Sequence, residues 1–161
     1  MPVYNIPPAK AVKDLLQGLL GRDVDVTPAA PLRAEDLSLT AVAVYVDAKL
    51  KLSAVAGLDL RLAANVGAAI GLVPPGGAQA CVEDKELSPM IGENVTEVCN
   101  VLTTLLNREG APRLTLHQVF LPGQPAPGDA TVRLLALGSR LDLDVAVTGY
   151  GSGRFALSIA A

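Results

Sequence analysis

Between residues 37 and 46 the chain alternates with a period of two, and toward the end of that run both phases are apolar. Leu37, Leu39, Ala41, Ala43 and Tyr45 point one way, while Ser38, Thr40, Val42, Val44 and Val46 point the other. Successive strand side chains face opposite sides of a sheet, so a strand apolar on both sides is one that is covered on both. Asp47-Ala48 reads as a turn into a second strand over residues 49–56, with Leu50, Leu52, Ala54 and Ala56 in phase. So short a connection implies an antiparallel hairpin.

What packs on this hairpin has to be aliphatic. Half of the 161 residues are hydrophobic but only 3% are aromatic, with no Trp, so the core is built from Leu, Val, Ile and Ala. That apolar content is too high for a disordered chain, and the length fits one domain spanning residues 1–161. A net charge of −3 without a dense Lys/Arg block argues against nucleic acid or an anionic membrane as the main partner. One histidine and two cysteines, with no CxxC pair, do not supply a four-ligand zinc site. Whether Cys81 and Cys99 are bridged is left open by the sequence. The first residues lack the basic and apolar regions of a signal peptide, and no charge-free apolar run of about 18 residues is present, so a cytoplasmic location is expected.

Residues 7–21 read as an amphipathic helix, with Ala11, Val12, Leu15, Leu16, Leu19 and Leu20 on one stripe and Gly21 as its stop. A short extended piece follows over 24–31. Residues 58–72 read as a helix apolar nearly all round, ended by a loop over 73–77. A long helix then begins between Asp84 and Pro89, Ser88 and Pro89 being a good N-cap and first position, and runs to Asn107. The period returns to two afterwards: residues 114–119, 131–137, 141–148 and 154–159 read as strands, with a Pro/Gly-rich loop over 122–128. The expected fold is α/β (α+β), a mostly antiparallel sheet of about six strands packed with three helices. No internal repeat is legible.

Gly149-Tyr150-Gly151-Ser152-Gly153 invites a phosphate-loop reading, but a strand rather than a helix follows it, and a hairpin turn fits better. His117 sits in an alternating run with no second His, Cys or Ser beside it, as a structural strand residue would. The long helix is more informative. Ile91, Val95, Val98, Leu102, Leu105 and Leu106 form its apolar stripe, with Cys99 beside it as a small hydrophobe. Opposite lies a polar stripe of Glu93, Glu97, Asn100, Thr104 and Asn107. A solvated face is the ordinary explanation. Against it stand the absence of any Lys or Arg from the stripe and the like charges of Glu93 and Glu97 at i, i+4. Asn94, Asn100 and Asn107 are also mediocre helix formers where Gln, Lys or Ala would serve. Glu97 and Asn100 set a carboxylate and a carboxamide side by side on a rigid scaffold.

Glu97-Val98-Cys99-Asn100 resembles the Glu-x-x-Asn signature of the CheC/CheX/FliY family, phosphatases of the response regulator CheY. Pro122, with twenty-one residues between it and Asn100, matches the proline of the family pattern. The order of elements is similar to that of CheX over most of the chain, and there is one copy of the motif, as in CheX. Two positions depart from the pattern: Glu93 stands where Asp or Ser is usual, and Thr104 where Gly is usual.

The resemblance implies a phosphatase that removes phosphate from the phospho-aspartate of a CheY-like receiver domain. Asn100 would orient the attacking water and Glu97 would pair with the receiver's lysine. Glu93, Thr104 and Asn107 would line the docking face. The chain would bind no cofactor or metal of its own, since Mg²⁺ belongs to the partner receiver. It also implies a homodimer. The rival is a non-catalytic adaptor that docks a signalling partner through the same helix. A third reading is a structural domain with a merely solvated stripe.

Overall fold

The computed structural model describes residues 6–107 and 110–160. Its elements are α1 (Ala9–Leu20), β1 (Val24–Pro28), a 3-10 helix (Ala34–Leu39), β2 (Thr40–Val46), β3 (Leu52–Asp59), α2 (Leu60–Ile70), α3 (Pro75–Asp84), α4 (Pro89–Val101), α5 (Thr103–Leu106), β4 (Thr115–Phe120), α6 (Gly128–Leu135), β5 (Arg140–Val147) and β6 (Gly151–Ile159). Six strands form one antiparallel sheet in the order β1-β5-β6-β3-β2-β4.

The sheet is covered on both faces, as the double alternation of β2 requires. Ala41, Ala43 and Tyr45 join Ala54, Ala56, Leu58, Phe155 and Leu157 beneath α1, α2 and α4. Val42, Val44 and Val46 join Val55 and Ala156 beneath Leu32 and the α6 residues Ala130 and Leu134. Arg140 holds α6 in place: its guanidinium donates to the Leu134 and Ala136 carbonyls and forms a two-pronged pair with Asp142, at 2.7 and 2.8 Å.

Six expectations are corrected. Residues 131–137 are not a strand: α6 covers most of them, with Pro127 before its first turn and Ala130 and Leu134 buried at i, i+4. The alternation there is incidental, and Val132 and Leu137 stand in solvent, 70% and 83% exposed. The loop over 73–77 is instead the entry to α3, with Pro75 in its first turn. Its two glycines look like loop residues, yet a Cβ on Gly77 would lie 2.6 Å from Val73, so one of them is there for close packing. The long helix is interrupted at Leu102, leaving α4 and the single turn α5. The strand expected over 37–46 begins only at Thr40, its first residues being 3-10 helix. Leu50 is in the hairpin turn at φ 62° rather than in phase with β3. The helices therefore number six rather than three among the described residues.

The sheet also has a symmetry that the sequence does not display. Exchanging β1, β2 and β3 for β4, β5 and β6 leaves the strand order unchanged, with the pseudo-two-fold axis between β3 and β6. The registers correspond except where the ladders beside Tyr45 shift by one residue. Tyr45 pairs with Leu116 as Val145 pairs with Val26, and Tyr45 pairs with Ala54 as Val145 pairs with Gly153. Even a side-chain fastener is repeated. The Gln17 side-chain oxygen accepts from the Val24 amide at 3.2 Å, and that of Asn107 accepts from the Leu114 amide at 2.7 Å.

Candidate functional site

The polar stripe is carried by α4, so what fixes α4 fixes the site. Ser88 caps the helix by accepting from the Ile91 amide, and Pro89 occupies its first turn. The apolar stripe is buried as expected, Ile91, Val95, Val98 and Leu102 being no more than 3% exposed. Burial of each such side chain contributes roughly 1.5–3 kcal/mol. Two glycines set the distance to neighbouring elements. A Cβ on Gly67 of α2 would lie 2.8 Å from both Ile91 Cγ2 and the Ile91 carbonyl, and one on Gly92 would lie 2.8 Å from Leu121. Asn94 Nδ2 donates to the Gly67 carbonyl at 2.9 Å and ties the two helices together.

Glu93, Glu97, Asn100, Thr104 and Asn107 are all exposed on the opposite side. Among the described residues neither Glu93 nor Glu97 is paired with a cation. The three asparagines now separate. Asn94 joins α4 to α2, and Asn107 both donates to and accepts from the backbone of Leu114. Only the Asn100 carboxamide has no partner among the described residues, and it stands one turn from the Glu97 carboxylate. Carboxylate and carboxamide are thus presented together, free and outward, on the last turn of a clamped helix. Pro122 is buried in the turn after β4, where it shares a cleft with residues 84–87 just ahead of α4.

The backbone on either side of Asn100 is held unusually firmly. The Tyr45 hydroxyl donates to the Cys99 carbonyl at 2.6 Å, and the Thr103 hydroxyl donates to the carbonyl of Asn100 itself at 2.6 Å. Tyr45 is fully buried. Burial pushes its phenol well above the usual value, with the Cys99 thiol adding to that rise, so it stays neutral and remains a donor. Sequence reasoning did not find this contact, although a hydroxyl-bearing aromatic in an aliphatic core was the available signal.

The other groups singled out by sequence have structural places. Both cysteines are free and buried, and burial pushes the Cys99 thiol up to about 12, which makes it inert as a nucleophile. His117 is the extra residue of a bulge in β4, where Gln118 pairs with Val44 but Leu116 pairs with Tyr45. Residues 149–153 make the β5–β6 turn, Gly149 and Gly151 taking positive φ. Asp14 and Gln17 of α1 copy the spacing of Glu97 and Asn100. They do not copy the site, because both are engaged, Asp14 with Lys10 and Gln17 with the Val24 amide. No group of three or more His, Cys, Asp or Glu among the described residues is placed to hold a metal ion, and no helix is long and apolar enough to cross a membrane.

No protein-family model and no curated protein sequence matches the chain. Solved structures do. The FliM middle domain of Vibrio alginolyticus superposes with a TM-score of 0.60 at 11% identity, over 94% of this chain and 87% of that one. FliY of Thermotoga maritima gives 0.51 at 16% identity, over 92% and 82%. CheX of Borrelia burgdorferi, solved in complex with CheY, BeF3 and Mg²⁺, gives 0.55 at 12% identity, over 94% of both chains. The fold is that of the CheC/CheX/FliY group. In this CheX-like fold α4 carries the Glu97/Asn100 pair, on the outer side of a helix layer whose inner side is the sheet.

Proposed function

We propose that the chain is a phosphatase of a phosphorylated receiver domain, acting through Glu97 and Asn100. The observation that carries this reading is the Asn100 carboxamide beside the Glu97 carboxylate on a fixed, exposed helix turn, neither of them engaged by another of the described residues. It is supported by the likeness to a CheX solved with CheY. The partner would supply the phospho-aspartate and its Mg²⁺, leaving this chain a positioning task. Asn100 would hold a water in line with phosphorus. Attack forms the new P–O bond as the bond to the aspartyl oxygen breaks, releasing phosphate and a free carboxylate, with the water's proton carried off on phosphate. Glu97 would pair with a lysine of the receiver site and hold the two proteins in register. Glu93 and Thr104 would line the docking face. Asn107 sits at its edge, engaged with Leu114.

Mixing the protein with phosphorylated receivers and following phosphate release tests this. Asn100→Ala should lower kcat by about a hundredfold, the usual loss when a positioning group is removed. Glu97→Ala should mainly raise KM. If both variants retain the full rate, the assignment is wrong. The adaptor reading has its own support, since FliM is solved in complexes with SpeE and with FliG, which superpose with TM-scores of 0.60 and 0.52. It predicts receiver binding that is abolished by Glu97→Ala, with no turnover in any variant. We further propose a homodimer formed through one of the outer strands, β1 or β4, whose free edges invite pairing. Light scattering at micromolar concentration reads it as a doubled mass, and a monomer there refutes it.

A further inference from the structure

The two halves of the sheet share strand order, much of their register and the Gln17/Asn107 fastener, and they differ around Tyr45. The helices beside the two fasteners are built differently: Gln17 lies within α1, which runs unbroken to Leu20, whereas Asn107 follows α5, with the break at Leu102 separating α5 from α4. One strand residue differs as well. The equivalent of Tyr45 is Val145, which has no hydroxyl to offer, and only at Tyr45 do both neighbouring strands change register. The β3 ladder skips Ser53 and the β4 ladder skips His117 at that level. Bulges increase local twist and re-aim a side chain.

We infer that Tyr45 is a positioning residue for Asn100, acting with Thr103. The Cys99 carbonyl belongs to the peptide unit preceding the Asn100 Cα, and the Asn100 carbonyl to the unit following it. Each is pinned by one hydroxyl at 2.6 Å, the first from the sheet and the second from α5. With both peptide planes held, the Cα–Cβ direction of Asn100 is set by the sheet rather than by a helix end that is free to fray. The interruption at Leu102 follows immediately, so without these bonds Asn100 would occupy the weakest turn of α4. Glu97 lies one turn further from the break and does not depend on them.

This inference rests on the phosphatase reading for its kinetic consequence but not for its structural one, and the experiment separates the two. Tyr45→Phe keeps the ring and removes the hydroxyl, and Thr103→Val does the same at a site outside the core, where folding is not at risk. In the turnover assay, well below the unfolding temperature, each variant should lose about tenfold in kcat with KM within about twofold of wild type. A residue of merely structural importance would lower the melting temperature and leave kcat per folded molecule intact, and that result overturns the inference. Amide exchange gives the reading that needs no receiver. Both variants should speed exchange at Asn100–Thr103 while leaving Val95 and Val98 protected. Unchanged exchange at the break overturns the positioning role even where wild-type turnover is high. Faster exchange in a chain with no turnover supports the positioning role and refutes the phosphatase reading alone.

Discussion

At the scale of single residues, the polar groups of this protein divide into those that fasten and those that are free. Asn94, Asn107, Gln17 and Asp59 are fasteners, their side chains engaged with backbone groups of a neighbouring element or turn. Asp59 caps α2 by accepting from the Leu62 amide, close to Gly153, where a Cβ would lie 2.3 Å from that same amide nitrogen. Burial raises the Asp59 carboxyl above its usual value, outweighing the Leu62 and Arg154 amides that lower it. The folded chain thus holds this proton more tightly than the unfolded one. The contribution of Asp59 is most favourable below the unfolded pKa and is lost as pH rises through the folded one. Asp59→Asn keeps a good cap and removes the titration. Urea unfolding should show the variant gaining on wild type as pH rises above the ordinary carboxylate value of about 4; a constant gap between them would refute the argument. Glu97 and Asn100 were legible in the sequence because an exposed, lysine-free stripe of poor helix formers needs a reason. That two of the three asparagines are fasteners was not legible, since their partners, Gly67 and Leu114, are set by tertiary approach.

Elements were legible where one face of a periodic run is buried and not where packing overrides local pattern. The start of α4 was legible only to within residues 84–89, and the helix begins at the Ser88-Pro89 signal at the end of that window. The break at Leu102 had no local signal, because no Gly or Pro marks it and the stripe continues unbroken through Leu105 and Leu106. α6 reads as a strand although Pro127, Asp129 and the Ala130/Leu134 pair mark a helix, since its length of eight residues gives few periods to count. The seat of α4 on α2 depends on Gly67, where any side chain meets the Ile91 backbone. Gly67→Ala should therefore lower stability by about 1–3 kcal/mol despite its better helix propensity. Chemical denaturation checks this, and a stabilised variant would show that the two helices part at little cost.

For the molecule as a whole, the net charge of −3 is unevenly spread. Residues 75–107 carry Glu83, Asp84, Glu86, Glu93 and Glu97 against Lys85 alone, and all six are exposed. The helices that present the site thus hold the acidity, and the rest of the chain is close to balanced. A receiver that offers basic groups would be steered to this face, so its association rate should fall about tenfold between 50 and about 500 mM salt while dissociation changes little. Stopped-flow association measures it, and a salt-independent rate would mean that these carboxylates do not face the partner.

The pseudo-two-fold sheet has one more consequence, for how the chain comes to be folded. Its central contact joins β3 to β6, with Val55 opposite Ser158, and its far edge joins β1 to β5, with Val24 opposite Val147. Neither half closes its own sheet. The half made first leaves β3, one of the most apolar strands, with an open edge until β6 has been made. Closing loops of that length is entropically expensive before any contact rewards it, so refolding should take milliseconds to seconds, as for other folds of high contact order. A microsecond phase that completes the β3–β6 ladder would refute this. Until the ladder closes, the arrangement that gives the finished protein its platform leaves the nascent one with an exposed adhesive strand edge.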